Sequence, residues 1–361
     1  MTTPASIRNE IGTPGHITRS EIFQQPRLWP TTLERVLDRL SSDGVPNAPA
    51  VITGAGTSAY AAIAIAAAWP ESRAIPSTDL LLDAASFIRG DELLVSIARS
   101  GDSPESAGVV AKIQREFPNV RHLAITCNSD GKLATMPNVS TLLLDPRSND
   151  KSLVMTSSFS NLVLAGLSIH RADQLRASLS DICLETERNL NELDERAEQI
   201  ARSGLARVAI LASPRLWGAA REAGLKILEM TAGGVGILTE TFLGLRHGPM
   251  SFLREDSLVL AFLSGHAGIR RYELDVLEEL RGKKLGTIVA IGSGSSKDVP
   301  CHEFIGSAAA NLPDELRTPF DIVFPQLLAF HLSLRSGFDP DNPSPQGVIN
   351  RVVQGVRIHE A

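Results

Sequence analysis

The sequence predicts an α/β protein of two parallel sheets in tandem, each flanked by helices as an α-β-α sandwich. Three observations carry that expectation. Short apolar runs alternate with longer amphipathic ones, the rhythm of parallel strands joined by crossover helices. The rhythm occurs twice, on either side of one long helical stretch. A length of 361 residues suits two domains of similar size better than one or three.

Residues 1–20 are rich in Gly, Pro, Ser and Thr and read as an arm, or a strap over a partner. The stretch "RSEIFQQPRLWPTTLERVLDRL" at 19–40 reads as helical with breaks at Pro26 and Pro30, since proline lacks the N–H that a helix interior needs. Then come "AVIT" at 50, a helix from Ser58, "ELLVSI" at 92, a helix from Ser103, "HLAIT" at 122 and "VSTLLL" at 139. A long helix from about Ser157 to Arg202, broken near Ser178 to Ser180, leads to the second set. That set holds "RVAIL" at 207, a helix through "REAGLKILEM", "VGILT" at 235, "SLVLAFL" at 257, a helix through "IRRYELDVLEELRGK", "TIVAI" at 287, and a helix from about Phe320 to Arg335. The expected division is an arm and helix over 1–40, a first domain over 41–200 and a second over 201–361.

Composition excludes several classes of partner. With 43% hydrophobic and 21% charged residues the chain can bury real cores. Acidic residues outnumber basic ones 41 to 35, the net charge is -6, and there is no Lys/Arg block, so a nucleic-acid partner is not expected. Cys127, Cys183 and Cys301 are odd in number and far apart, which suggests neither a disulfide framework nor a zinc cluster and suits a reducing cytoplasm. The N-terminus has no apolar core of signal-peptide length, and the run from Ala59 to Trp69 is too short to span a bilayer.

In open parallel sheets ligands sit at the carboxyl ends of strands, where helix N-termini offer free N–H groups and a positive dipole end. Two such ends in the first half are rich in small donors. In "GAGTSA", 54–59, Gly54 and Gly56 let backbone approach a ligand, and Thr57 and Ser58 add hydroxyls. In "ARSGDSPES", 98–106, Ser100, Gly101, Ser103 and Ser106 do the same. Together they suggest a phosphate cup of hydroxyls and backbone amides. Ser58 and Ser103 could also be plain helix caps. A rival reading is a nicotinamide-dependent oxidoreductase, because "GAGTSA" fits the dinucleotide pattern and Asp79 lies about 20 residues beyond it. That reading leaves the second hydroxyl loop unexplained.

In the second half, "REAGLKILEMTAG" places Lys226 and Glu229 three apart on one side of a helix. "GLRHGP" puts His247 in a loop pinned by Gly248 and Pro249. An i,i+3 pair of this kind is commonly a solvated surface pair and a lone histidine is commonly structural, so neither decides function by itself.

Taken together, "GAGTS", "RSGDSPES", "LKILE", "RHGP" and the ending "NPSPQGVINRVVQGV" resemble the sugar isomerase (SIS) domain proteins. Within them the chain is similar to the tagatose-6-phosphate ketose/aldose isomerase and galactosamine-6-phosphate deaminase branch, related to the isomerase half of glucosamine-6-phosphate synthase. The resemblance implies two SIS domains, a homodimer with a shared active site, a small sugar phosphate as substrate, and no metal or organic cofactor. It implies that Thr57, Ser58, Ser100, Gly101 and Ser103 bind the phosphate, and that Gly56, Arg99, Ser106 and Gln354 are possible substrate contacts. It further implies Glu229 as general acid/base, Lys226 as a lysine near the sugar, and His247 as the ring-opening histidine, reaching the neighbouring subunit's site. The glutamine-hydrolysing half of the synthase is absent, which favours ammonia release or plain isomerisation over amination. Two departures bear on the chemistry. Ala98 stands where the synthase has a serine, and Gln354 where it has a lysine able to form a Schiff base, so covalent capture of the keto group is not expected. A sugar-phosphate sensor is the third class, disfavoured by the presence of both Glu229 and His247.

Overall fold

Each half of the chain forms a five-stranded parallel sheet. The computed structural model describes residues 12–344, 346–353 and 355–359. The first sheet contains β1 (Ala50–Thr53), β2 (Ser72–Ala74), β3 (Leu93–Ala98), β4 (Arg121–Thr126) and β5 (Val139–Leu143), in the order β2-β1-β3-β4-β5. The second contains β6 (Arg207–Ala212), β7 (Gly236–Glu240), β8 (Leu258–Phe262), β9 (Thr287–Gly292) and β10 (Glu303–Gly306), in the order β10-β9-β8-β6-β7. Numbered from its own first strand, each sheet reads 2-1-3-4-5, so the second repeats the topology of the first.

The helices in chain order are α1 (His16–Asp43), α2 (Thr57–Ala66), α3 (Ser77–Asp83), α4 (Pro104–Glu116), α5 (Lys132–Thr135), α6 (Ser157–Ala201), α7 (Trp217–Met230), α8 (Phe242–Leu245), α9 (Ala267–Gly282), α10 (Thr318–Asp321) and α11 (Val323–Arg335). Strands buried on both faces need apolar residues at every position, which is why β1, β3, β6 and β8 read as continuous apolar runs. Alternate residues then serve different cores. Ile52 and Val95 join Ile210 and Leu260 of the other sheet in one large cluster with α2, α6, α7 and α11 between them. Val51 and Leu94 face the opposite way, onto Val109, Val110 and Ile113 of α4. Among the described residues no helix is long and apolar enough to cross a membrane.

The structure departs from the expectations in three places. α1 runs unbroken through Pro26 and Pro30. The missing N–H of Pro26 leaves the Ile22 carbonyl without its helical donor, and Gln25 Nε2 supplies one at 2.9 Å. The buried face of Ile22, Trp29, Leu33 and Val36, packed on α6, holds the rest of the helix. In α6 the irregular residue is Arg171, with φ -128° and ψ 23°, and Ser178 to Ser180 stay helical. The kink falls where α6 leaves its all-buried first segment and becomes amphipathic, with Leu175, Leu179 and Ile182 facing inward. Finally, β2 and β10 are edge strands, short and half exposed, whose sequences carry no apolar run.

Candidate active site

Strand order reverses between β1 and β3, and a crevice opens beyond their carboxyl ends. Both hydroxyl-rich loops lie there. Residues 54–58 lead from β1 into α2. A side chain at Gly54 would place a Cβ 2.6 Å from Ser58, so the turn closes only with glycine. Gly56 caps α2 with φ 56°, in the left-handed region that glycine tolerates. Ser58 is therefore not the cap of its helix, whereas Ser103 is: its Oγ accepts from the Ser106 N–H at 3.2 Å. The second loop is braced from behind, with Asn128 Nδ2 donating to the Ser100 carbonyl and Leu133 N–H to the Gly101 carbonyl, each at 3.0 Å. Lys132 N–H donates to Asp102 Oδ1 at 3.1 Å.

Over these loops lies a cavity of about 190 Å³. The loops contribute Gly56, Thr57, Ser58, Arg99, Ser100, Gly101, Ser103 and Ser106 to its wall, α7 contributes Glu229, and residues 349–353 of the C-terminal segment close one side. Arg99 works as a tie. Its buried guanidinium donates to the carbonyls of Ser152 at 3.4 Å, Leu153 at 3.2 Å and Arg351 at 2.5 Å. Arg351 in turn donates to the Asp150 carbonyl at 3.0 Å and to Asn149 Oδ1 at 2.8 Å. The C-terminal segment is thus fastened at the cavity's edge.

Behind the wall sits a buried charge cluster. Lys226 has no exposed surface, and its ammonium donates to Glu229 Oε2 at 2.5 Å and to Thr57 Oγ1 at 3.0 Å. Glu222 Oε1 is 3.5 Å away and accepts from Thr57 Oγ1 at 3.4 Å. Lysine and glutamate of the second half are thereby hydrogen-bonded to a threonine of the first. The approach depends on small residues where α2 meets α7: a Cβ on Gly218 would lie 2.7 Å from the Ala64 Cβ.

Burial and charge attraction act in opposite senses on Glu222 and Lys226. Burial pushes the Glu222 carboxyl up to about 8 despite the neighbouring ammonium. Burial works against the Lys226 charge, but attraction to Glu222 and then Glu229 outweighs it and raises the lysine's pKa. Burial thus favours the protonated form of Glu222, while Lys226 is ion-paired with Glu229. Glu229 is the member that meets the cavity, its side chain 24% exposed.

Sequence reasoning missed Glu222. Positions 222, 226 and 229 follow the i, i+4, i+7 spacing of one helix face. The helix around them carries Ala219, Ala220, Ala223 and Gly224, all buried. Charges spaced along a helix of such small residues were the available signal of an interior cluster. Other expected residues lie elsewhere: His247 is exposed in the turn after α8 and does not line the cavity of this chain, and Gln354 falls outside the described residues. Asp79 is exposed in the first turn of α3, away from the cavity wall, so the dinucleotide reading lacks its ribose-binding acid.

Two repeated five-stranded parallel sheets flanked by helices define the tandem SIS-domain fold. No protein-family model matches the chain. The crystal structure of tagatose-6-phosphate ketose/aldose isomerase from Escherichia coli superposes with a TM-score of 0.82 at 30% identity, covering 99% of both chains. The C-terminal domain of glucosamine-fructose-6-phosphate aminotransferase from Francisella tularensis, 16% identical, shares the fold with a TM-score of 0.73 over 89% of this chain and 96% of that one. In sequence, D-galactosamine-6-phosphate deaminase AgaS from Escherichia coli is 33% identical over 370 residues, 96% of each protein. The chain belongs to the SIS family, in the branch of these galactosamine-6-phosphate deaminases and tagatose-6-phosphate isomerases.

Proposed function

We propose that the chain converts D-galactosamine 6-phosphate to tagatose 6-phosphate and ammonia, as an aldose-ketose isomerase whose product imine is hydrolysed. The observation that carries this reading is Glu229: a carboxylate in the cavity wall, opposite the hydroxyl loops and held by Lys226 at 2.5 Å. The names of the relatives supply the amino sugar. The loops around Thr57, Ser58, Ser100, Gly101 and Ser103 take the phosphate and fix one end of the sugar.

The chemistry follows from where a proton can go. Once the ring is open, Glu229 removes the C2 proton and returns it to C1, general acid/base work for a partly buried carboxylate. Lys226, buried behind the wall, does not meet the sugar; its ammonium holds the Glu229 carboxylate in position through the ion pair. Proton return leaves an iminium carbon at C2; water adds there and ammonia leaves, giving the ketose phosphate.

Ring opening is assigned to His247 of the partner subunit in a homodimer with shared sites. Glu229 also lines a second, apolar cavity of about 570 Å³ with Leu225, Leu228, Val348 and Ile349, and this apolar flank supports the reading of a shared site. In this reading residues 41–200 form the cup-bearing domain, 201–361 the domain that supplies the acid/base, and 1–40 the arm and helix. The three unpaired cysteines support a reducing, cytoplasmic setting.

The test is ammonia release from galactosamine 6-phosphate and, in parallel, from glucosamine 6-phosphate, by purified protein without added metal or nucleotide. Release from galactosamine 6-phosphate is expected. Release from glucosamine 6-phosphate alone would reassign the epimer, and release from neither would return the chain to plain isomerisation or sensing.

A further inference from the structure

The second sheet has its own switch point, between β6 and β8. The loop there is built like the second hydroxyl loop of the first sheet. Leu263-Ser264-Gly265-His266 follows β8 as Arg99-Ser100-Gly101-Asp102 follows β3. The local hydrogen bond matches as well: the His266 N–H donates to Ser264 Oγ at 3.0 Å, and the Asp102 N–H to Ser100 Oγ at 3.3 Å.

What faces the two loops differs. The first opens on the sugar cavity. The second meets a carboxylate of its own chain: Asp314 Oδ2 accepts from Ser264 Oγ at 2.5 Å, and Asp314 Oδ1 accepts from the Gly265 N–H at 2.7 Å. Arg317, wholly buried, holds that carboxylate with Nη1 at 3.1 Å while its Nη2 donates to Asp321 at 2.6 Å. Glu273 completes the closure, accepting from the Ser264 N–H at 2.8 Å and from Ser213 Oγ, just past β6, at 2.5 Å. With Ser264 set against Ser100, Glu273 falls at Val109, an apolar core residue in the first half. The glycine turn after β1 has no counterpart either, since Ser213-Pro214-Arg215 follows β6.

We propose that the second switch point is an anion cup which the chain fills with its own Asp314 carboxylate, so that each chain takes up one sugar phosphate, in the first half. Asp314 engages one serine hydroxyl and one backbone amide, the donor types a phosphoryl group uses at such a loop. The chain uses the same device at α6, where Asp150 accepts from the N–H groups of Thr156 at 2.7 Å, Ser157 at 3.2 Å and Ser158 at 2.9 Å. The class of the excluded ligand, a phosphate, rests on the reading of the first loops as a phosphate cup; the plug itself rests on the geometry around Asp314.

The experiment measures inorganic phosphate binding by equilibrium dialysis and by melting temperature. It compares the full-length wild type, the double variant Ser100→Ala with Ser103→Ala, Asp314→Ala, and the triple variant. One phosphate per wild-type chain, none for the double variant and one regained by the triple variant are expected. In the triple variant, phosphate at about ten times its dissociation constant should raise the folded-to-unfolded ratio about tenfold. Two phosphates per wild-type chain, or a folded triple variant that binds none, overturns the proposal. Should the wild type bind none, the phosphate reading of the first loops fails by itself. Asp314→Ala against wild type then still decides the plug, a gained phosphate supporting it and no gain overturning it. If Asp314→Ala does not fold, Asp314→Asn drops the charge while keeping the shape. A phosphate-dependent rise in its melting temperature, beyond that of wild type, is expected, and no such rise overturns the proposal.

Discussion

Glu222→Gln isolates the proton held behind the cavity wall. The Glu222 carboxyl is raised from 4.5 to about 8 by burial, and its Oε2 has no hydrogen-bond partner among the described residues. Between those values the folded chain holds a proton that the unfolded chain releases, so stability from this group is full below 4.5 and is lost as pH rises through about 8. Each pH unit in that window is worth about 1.4 kcal/mol. From about pH 5.5 to 7.5 the wild type therefore loses roughly 2–3 kcal/mol that a glutamine cannot lose. Urea unfolding of both proteins, at fixed protein concentration and several pH values, reads this as a gap that moves in favour of the variant as pH rises. A gap that stays constant refutes the reasoning. It would mean that Lys226, 3.5 Å away, keeps Glu222 ionised in the fold and outweighs the burial.

Glu229→Gln should lower turnover by about 10²- to 10⁴-fold while sparing sugar-phosphate binding; retained turnover removes Glu229 as the acid/base. Gly131→Ala would place a Cβ 2.2 Å from the Ser100 carbonyl oxygen, so the second loop must shift. A fall in kcat/KM of about 10²-fold is expected, and unchanged kinetics would mean that the loop does not hold the substrate. Mixing inactive Glu229→Gln and His247→Ala chains should restore about a quarter of wild-type activity through hybrid dimers carrying one intact site. No recovery after confirmed subunit exchange places the whole site within one chain.

The strands that position the site were readable because both of their faces are buried, which forces runs such as "ELLVSI" and "SLVLAFL". The edge strands β2 and β10 escaped because Ser72–Ala74 and Glu303–Gly306 need no such run. The prolines of α1 misled for a different reason: the repair comes from the side chain of Gln25, which a backbone rule does not see. At the site, glycines and hydroxyls announced the two loops, since few other residues make so tight a turn at a strand end. Glu222 did not announce itself. A Glu four residues before a Lys reads as a surface pair on any helix, and burial against α2 comes from the tertiary fold.

The bond between Lys226 and Thr57 spans 169 positions of sequence. At about 5–20 residues per second, the threonine is added to the chain roughly 8 to 34 seconds before its lysine. During that interval the first sheet can assemble with both of its hydroxyl loops, yet it lacks every charged group of the acid/base cluster. If these loops hold the phosphate as proposed, a nascent chain acquires the means to bind it well before it can move a proton, which must wait for the second half to dock and, for ring opening, for a partner subunit.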